Sequence, residues 1–447
     1  MTAPILVTRH GNGRAKLALA LTLAGAASML YYHLGLFIPR ALEVRAAQGL
    51  GNGYAFGDDF YPIWLTSRQA LAGNHDAYNA AMTSKIQIGL FGRPLSANNP
   101  QDPPLDYRTF AYPAYTDLVF WPAATLPFDV LRVFLAPLFV SLTIVSIFFW
   151  SSAVGWRASP TQILFAILLT ICSYPVLEGL FAEQPGLVVA FLFALAMFAL
   201  RREHLLFAGF LMALTMVKPQ MTVLAILYLL VWSLHDWRRR GSLAISFLAT
   251  MGILVAASVA LWPRWIPAWA HVILGYHRYA TPPLIRELLG PHLSSSAGPW
   301  LIAVLLAVAA VLAWRSRAAE AASFEFWLTL SLLLAIGTVT VLPGLAVYDH
   351  VVLLPGMFLV VSRWREFNAA GPVFRMLRTA GAIVILWPWF AACALLVISR
   401  FLSSERFYST ALFAVPLRTA ASLPFLVLAL LALLWRHRMQ VGARQTE

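Results

Sequence analysis

The chain has 447 residues, of which 60% are hydrophobic and only 11% are charged, and its mean hydropathy is +0.74. A water-soluble domain of this composition would leave large apolar patches on its surface, so the composition indicates a multi-span membrane protein. The net charge of +13 would favour nucleic acid as a partner of a soluble protein, but here it must first be compared with the sidedness of the loops. The two cysteines lie inside apolar runs and are too few for a disulfide framework or a metal cluster.

The first apolar run, 17–38, follows three basic residues and predicts a helix that enters the membrane from the cytoplasm. Its AGAAS stretch is similar to a signal-peptide cleavage site. The run continues about two turns further and is long enough to span, which favours an uncleaved helix. Segment 39–128 then contains no clean span and many Pro, Asn, Asp and aromatic residues. We expect it to be a long extracytoplasmic loop that carries interfacial helices.

From position 129 the apolar runs follow one another closely and predict further spans. With the first run, they predict an all-α polytopic membrane protein of about twelve transmembrane helices. We treat 1–447 as a single integral membrane domain, with a second extracytoplasmic loop at 263–298 and a short cytoplasmic tail at 436–447. The later spans are expected at 129–153, 162–180, 185–200, 205–221, 222–234, 242–262, 299–314, 322–344, 350–362, 379–399 and 413–435.

Charge separates the two faces that this topology creates. With the N-terminus in the cytoplasm, 18 of the 32 Lys and Arg residues fall on the cytoplasmic face, mostly in short loops such as HDWRRRG. The other face receives 13 of the 19 acidic residues. The basic clusters are therefore topology signals rather than a nucleic-acid surface. They predict a cell-membrane protein with both termini in the cytoplasm and its active site outside.

Ionisable and amide side chains recur at the outer ends of separate spans. Because such groups are costly at the bilayer edge, their convergence from five loops onto one outer face predicts a functional site. Taken singly they have ordinary alternatives, since Lys218 could snorkel to the interface and His350 could cap a helix. The set consists of Asp58, Asp59, Glu183, Gln184, Lys218, Gln220, His277, Arg278, Arg286, Asp349 and His350.

These residue types suit one kind of chemistry. A carboxylate at a membrane surface can act as general base toward a hydroxyl, while Lys, Arg and His can bind a phosphate and neutralise a departing one. The combination predicts transfer of a group from a lipid-linked phosphate. Aromatic residues beside Asp59 either stack on a sugar or anchor an interfacial helix. Helical spacing places Phe60, Ile63, Trp64 and Leu71 on one side of a helix over 59–73, which would lie along the membrane plane.

Four motifs, in order, give the chain a family resemblance. They are DFYPIW with SRQALAGNHDAY, FAYPAY, VKPQ and YDHVVLLP, within about 10–360. With them the chain resembles glycosyltransferase family 87, the polyprenol-phosphate-mannose-dependent mannosyltransferases of GT-C multi-span architecture. Two departures bear on donor fit and loop shape. Ile63 stands where the family has an aromatic residue, and Ala114 replaces the second proline of Tyr-Pro-Pro.

The resemblance implies roles for particular residues. Asp59 matches the proposed catalytic base of the first extracytoplasmic loop. The donor would be a polyprenyl phosphate sugar, with mannose as the hexose, and the acceptor a lipid or glycan. We expect the donor phosphate at Lys218, Gln220, Arg278 and His350. We expect the acceptor or sugar at Trp64, Tyr112, Glu183, Gln184, Tyr348 and Asp349.

A single base opposite a leaving phosphate implies inversion at the anomeric carbon. Asp58 is expected either to orient Asp59 or to cap the interfacial helix. No metal or other cofactor is expected, although Asp58 and Asp59 could hold a divalent ion together with a donor phosphate. His33, near the outer end of the first span, either lines the donor cavity or packs at the interface.

The main alternative is a multi-span transporter or flippase. Such proteins usually have two related halves and broken helices near the bilayer midplane, and the sequence shows neither clearly. A nucleotide-sugar donor is disfavoured because no Gly-rich phosphate loop follows a strand, and a His-rich acyltransferase box is missing. The expected partners are therefore the lipid-linked donor, the acceptor and membrane lipids, without nucleic acid.

Overall fold

The computed structural model describes residues 10–47, 49, 59–74, 76–276, 281–344, 346–364, 371–403, 406–407 and 414–445. Every regular element in these ranges is a helix. Short 3₁₀ helices interrupt or join the α-helices at Thr215–Val217, Pro219–Met221, Ser316–Ala318 and Val347–Leu353, and a π turn, His33–Phe37, joins the first two helices. The α-helices are α1 His10–Tyr32, α2 Ile38–Ala47, α3 Tyr61–Leu71, α4 Ala80–Phe91, α5 Tyr115–Ala124, α6 Phe128–Ala153, α7 Pro160–Ile171, α8 Tyr174–Phe181, α9 Pro185–Arg201, α10 Leu205–Leu214, α11 Val223–His235, α12 Trp237–Leu261, α13 Trp265–Tyr276, α14 Leu284–Ser294, α15 Gly298–Arg315, α16 Phe324–Thr340, α17 Leu354–Ser362, α18 Pro372–Ile398, α19 Val415–Ala420 and α20 Leu423–Gln445.

Six helical stretches in the described chain are long and apolar enough to cross a bilayer, which confirms a multi-pass helical membrane protein. The bent pair α7 and α8 makes a seventh if it is counted as one span, and five shorter apolar helices accompany them. The count of twelve spans stays a prediction. The six stretches are Lys16–Val44, Phe128–Ala153, Trp237–Leu261, Gly298–Ala318, Pro372–Ile398 and Arg418–Arg438.

The span predicted at 162–180 is not continuous, because α7 and α8 meet at an angle of 53°. Local capping explains the break. The side chain of Ser173 accepts a hydrogen bond of 3.4 Å from the backbone N–H of Val176, and Pro175 occupies the first turn of α8. A serine cap followed by proline starts a new helix even inside an apolar run.

The centre of the bundle is formed by helices that are short for a membrane span. In α16 every residue of 326–340 is buried, so this helix contacts protein on all sides. Helix α9 is also largely buried and packs against α6 and α10. Gly209 of α10 lies against the backbone of α12 at Leu243, where a Cβ atom would collide. The bare glycine surface thus permits close helix packing.

Helix α3 differs from the interfacial helix predicted over 59–73. Of the four residues on its predicted apolar side, Phe60 and Ile63 are buried in protein, Trp64 is partly buried and Leu71 is 59% exposed. That the helix lies along the membrane plane stays a prediction. Thr66 and Ser67 are buried too, and both hydroxyls donate to Asp117 of α5, at 2.9 and 3.0 Å. Apolar periodicity alone does not predict this contact, because a buried hydrogen-bond acceptor on α5 draws in polar residues of α3.

The arginine-rich loops gather at one end of the bundle. Arg240 donates to the carbonyl of Arg317 at 3.1 Å, while the guanidinium groups of Arg363 and Arg438 each lie 4.7 Å from the ring centre of Phe324. Helix α11 runs toward this end, since it begins after the VKPQ motif and ends at His235, beside the arginine-rich start of α12. Segment 39–128 holds most of α2 and all of α3 to α5, and the first apolar helical stretch continues to Val44, beyond the predicted end of the span at 38. Segment 263–298 holds α13 and α14, and α20 continues to Gln445 through most of the predicted tail.

Candidate active site

Asp59 lies at the end of the bundle opposite the arginine-rich loops, just before α3. Its backbone N–H donates to the carbonyl of Ala182 at 3.2 Å, which joins the start of α3 to the end of α8. The next residue, Phe60, is buried with its ring edge-on to Phe120 at 5.3 Å and to Phe139 at 6.4 Å. A buried aromatic anchor and a backbone hydrogen bond therefore fix the position of the carboxylate.

Both oxygens of the Asp59 carboxylate have a partner. Arg108 forms an ion pair with Oδ1, and the side-chain amide of Gln184 donates to Oδ2. Arg108 was not among the predicted site residues. Its backbone is left-handed, with φ of +66°, in a turn that the Thr109 N–H closes onto the carbonyl of Asp106. The signal in the sequence is a basic residue two positions before FAYPAY, in the long first loop.

The motif FAEQPG positions Gln184. The N–H of Gln184 donates to the carbonyl of Gly179, and the N–H of Glu183 donates to that of Leu180, which is the Schellman pattern that ends a helix. Glu183 takes the left-handed position, with φ of +44°, where glycine is usual. Pro185 then starts α9. Glu183, whose side chain is buried, thus contributes a backbone turn that directs Gln184 toward Asp59.

Gln184 links Asp59 to a second ion pair. Its amide oxygen accepts from the Lys218 ammonium at 3.0 Å, and the same ammonium donates to Asp349 Oδ1 at 2.7 Å. Lys218 precedes Pro219 at a break between two 3₁₀ helices, since a residue before proline is disfavoured in helical conformation. The ring of Tyr348 lies 4.8 Å from this ammonium. The site is therefore a chain of contacts from Arg108 through Asp59, Gln184 and Lys218 to Asp349.

The two ion pairs differ in burial. The side chains of Lys218 and Asp349 are 6% and 1% exposed, whereas those of Arg108 and Asp59 are 26% and 18% exposed. Removing one partner of a buried pair costs about 3–5 kcal/mol, while an exposed pair contributes about 1 kcal/mol at most. The Lys218–Asp349 pair is thus the firmly held part of the site, and the Arg108–Asp59 pair is the more accessible one.

Gly186 is required where α9 approaches the second ion pair. A Cβ atom at this position would lie 2.6 Å from Asp349 Oδ1 and 3.3 Å from the Lys218 ammonium. A glycine is therefore needed at the end of FAEQPG, because any side chain there would overlap the Lys218–Asp349 pair.

Tyr112 is held beside Asp59 through its backbone. The hydroxyl of Tyr78 donates to the Tyr112 carbonyl at 2.8 Å, and the indole of Trp269 donates to the Ala111 carbonyl at 3.0 Å. Burial, strengthened by the negative charge of Asp59, holds the pKa of Tyr112 well above its usual range. The Tyr112 phenol therefore stays protonated and can donate a hydrogen bond to a substrate.

His350 connects the site to an apolar groove. The groove has a volume of about 270 Å³ and lies between α7, α8, α17 and α18, with Leu169, Val176, Leu354 and Ile385 among its lining residues. His350 also lines it, is buried, and has no hydrogen-bond partner for Nδ1 among the described residues. The adjacent residue, Asp349, likewise has no described partner for Oδ2. Buried polar atoms without partners need an explanation, and a bound substrate supplies one.

Some predicted site residues lie apart from this chain of contacts. The Trp64 indole donates to the carbonyl of Leu126 at 2.9 Å and its ring packs on Tyr61 and Phe128, as an anchor would. Gln220 is partly buried in the 3₁₀ helix after Lys218. His33 packs among the rings of Phe37, Tyr174 and Phe181.

Asp58, His277 and Arg278 lie outside the described residues. Among the described residues no three His, Cys, Asp or Glu side chains form a group that could hold a metal ion. Arg286, which the sequence grouped with the site, donates to the carbonyl of Ser294 at 3.2 Å within α14.

Comparison with known proteins supports the sequence resemblance. The model of glycosyltransferase family 87 matches residues 110–343, just over half of the chain. The matched segment contains FAYPAY, FAEQPG and VKPQ, while Asp59 precedes it and Asp349 follows it. Neither a curated protein nor a solved structure matches the chain.

Proposed function

The chain belongs to glycosyltransferase family 87 and is a membrane glycosyltransferase; from this premise we propose that it transfers a hexose from a polyprenyl phosphate sugar to a lipid or glycan acceptor. Mannose is the hexose that the family resemblance favours. The reaction takes place at the extracytoplasmic face of the cell membrane, with both termini in the cytoplasm. The family membership favours this function over the transporter or flippase that the sequence left open.

Asp59 acts as the general base in this proposal. The observation that carries it is the placement of an accessible carboxylate, held by Arg108 and Gln184, next to the buried Lys218–Asp349 pair. An oxygen of this carboxylate can accept a hydrogen bond from the hydroxyl of the acceptor substrate. The hydroxyl oxygen attacks the anomeric carbon, its proton passes to Asp59, and the bond from that carbon to the phosphate oxygen breaks. Polyprenyl phosphate leaves from the opposite face, which inverts the anomeric centre.

The groove supports a polyprenyl donor. Its apolar lining suits an isoprenoid tail, and His350 at its wall follows Asp349 in the chain, so a tail in the groove places its phosphate near His350 and Lys218. A cation at this point stabilises the charge that develops on the departing phosphate. Asp349 Oδ2, buried and without a described partner, is suited to accept a hydroxyl of the sugar, while Tyr112 and Tyr348 provide rings and phenols around it.

The test of this function is a donor comparison with the wild-type protein in proteoliposomes. Labelled polyprenyl phosphate mannose, polyprenyl phosphate glucose and a nucleotide-linked mannose are each supplied with a crude envelope lipid extract, and labelled product is measured. We expect product from the polyprenyl phosphate sugars, more from mannose, and inverted configuration at the new bond. Product from the nucleotide sugar alone, or label that crosses the membrane without forming a new bond, would contradict the proposal.

A further inference from the structure

The charges in the chain of contacts from Arg108 to Asp349 balance before any substrate binds. Arg108 is paired with Asp59, Lys218 is paired with Asp349, and the neutral amide of Gln184 lies between the pairs. A sugar phosphodiester brings one negative charge into this site, and the monoester that leaves carries more. An anion that is removed from water needs a partner, and a cation of this chain of contacts supplies one if it turns from its carboxylate toward the phosphate.

Burial decides which cation can turn. The Lys218–Asp349 pair is almost fully enclosed, and separating it would leave Asp349 charged and alone in the protein interior. Both side chains of the Arg108–Asp59 pair are in partial contact with solvent, so separating them costs much less free energy. Arg108 also carries the planar fork of donors that matches phosphate oxygens, whereas Lys218 is a point charge.

The backbone around Arg108 suits a residue whose side chain changes partners. Arg108 lies on the connection 92–114 between α4 and α5, which contains turns and no helix. Its guanidinium also lies 5.3 Å from the ring centre of Tyr107, so the side chain contacts the Tyr107 ring in addition to Asp59. A non-glycine residue with positive φ is uncommon and is concentrated at functional sites.

We propose that Arg108 covers Asp59 in the empty enzyme and transfers to the donor phosphate when the lipid-linked sugar binds. The transfer releases Asp59 Oδ1, which then accepts the hydroxyl of the acceptor. Arg108 is therefore both a donor ligand and a positioning residue for the base, and the base becomes available only after the donor has bound. This inference rests on the proposed function, because it names the phosphate of that donor.

The test is donor binding without acceptor, followed with labelled polyprenyl phosphate mannose and purified full-length protein. Exchange of a charge-assisted hydrogen bond predicts about tenfold or greater weakening in Arg108→Gln, and a smaller loss in Arg108→Lys, which keeps the charge without the fork. Asp59→Asn should bind the donor several-fold more tightly because Arg108 is no longer held. That gain should disappear in the double variant Asp59→Asn with Arg108→Gln.

Arg93→Gln is the matched control, since Arg93 lies on the same connection and pairs with Asp102 at 2.5 Å rather than with Asp59. Thermal unfolding of each variant identifies loss of folding, and Arg108→Lys decides the question if Arg108→Gln does not fold. The exchange of Arg108 between Asp59 and the phosphate would be overturned, with the proposed function unaffected, by wild-type donor affinity in Arg108→Gln. It would also be overturned if Asp59→Asn raised donor affinity equally with Arg108 present and with Arg108→Gln. No donor binding by the wild-type protein would overturn the exchange and the proposed function together.

Discussion

Gln184 joins the two ion pairs because an amide has a donor end and an acceptor end. Its NH₂ group faces the Asp59 carboxylate and its oxygen faces the Lys218 ammonium. The opposite orientation would place oxygen against carboxylate and NH₂ against ammonium, so the charges on either side fix the amide in one orientation. A residue that sequence reasoning assigned to the acceptor or sugar therefore has a further role, which is to hold the base.

Replacing Gln184 by Glu should damage the reaction without removing a side chain. The new carboxylate would pair with Lys218 but repel Asp59, and we expect kcat for sugar transfer to fall by about 100-fold or more. Gln101→Glu, an exposed position in the first long loop, is the control and should leave kcat unchanged. Steady-state transfer by the two variants checks this prediction. A Gln184→Glu enzyme with the wild-type rate would show that the amide does not hold the base.

Single residues could be predicted where their chemistry conflicts with their surroundings. Lys218, Asp349 and His350 are polar groups at the ends of apolar runs, and Asp59 begins the aromatic motif DFYPIW, so the sequence indicated all four as candidates. Arg108 gave a weaker signal because a basic residue in a polar loop is ordinary. Its contact with Asp59 joins positions far apart in the chain, and only the folded connection between α4 and α5 brings them together.

At the scale of elements, the α8–α9 turn packs directly on the Lys218–Asp349 pair at Gly186. Gly186→Ala should lower the free energy of unfolding by about 1–3 kcal/mol, because the methyl group overlaps Asp349 Oδ1. Sugar transfer should fall as well. Gly252→Ala on α12 is the matched control, since no atom lies within 4 Å of its added Cβ, and it should be neutral or stabilising. Thermal unfolding in detergent compares the two variants, and equal unfolding temperatures would contradict the prediction.

The contact between α3 and α5 should make stability depend on pH. Burial raises the pKa of Asp117 to about 7, although the hydroxyls of Thr66 and Ser67 oppose this. The unfolded carboxyl releases its proton near pH 4, so between about pH 4 and about pH 7 the folded protein binds the extra proton. Stability from this group is therefore present at low pH and lost as pH rises through about 7. The loss amounts to as much as about 4 kcal/mol.

Asp117→Asn isolates this contribution, because the amide oxygen can still accept from Thr66 and Ser67. At about pH 5 the variant and the wild type should unfold at similar temperatures, and at about pH 8 the variant should be the more stable. Unfolding curves at the two pH values measure the difference. A difference that does not change between them would mean that Asp117 is ionised throughout.

Elements were predictable where hydropathy alone decides, as for Phe128–Ala153 and Trp237–Leu261. The break between α7 and α8 was missed because Ser173 and Pro175 act locally, while hydropathy averages over the run. The burial of Thr66 and Ser67 on α3 was not predicted for a related reason. Its buried polar side depends on an acceptor, Asp117, that lies 50 residues away in the chain.

At the scale of the whole molecule, the arginine-rich loops and the Asp59 site lie at opposite ends of the bundle. The sidedness of the two ends stays a prediction from the distribution of Lys and Arg. A variant without Cys172 and Cys393 allows single cysteines to be placed at the exposed positions Asn98 and Arg239. In intact cells a membrane-impermeant maleimide should label the first and not the second, and the reverse pattern would contradict the topology.

The central claim is that Asp59 is the base of a sugar transfer from a lipid-linked donor, and the most direct measurement compares Asp59→Asn with Asp129→Asn. Asp129 is an exposed acid in the first turn of α6, so its variant controls for loss of one negative charge. With labelled polyprenyl phosphate mannose and a lipid extract, Asp59→Asn should lose about 10²–10⁴-fold in transfer rate while still binding donor. Asp129→Asn should retain the wild-type rate. Transfer by Asp59→Asn at the wild-type rate would contradict the assignment of the base and place it elsewhere in the site.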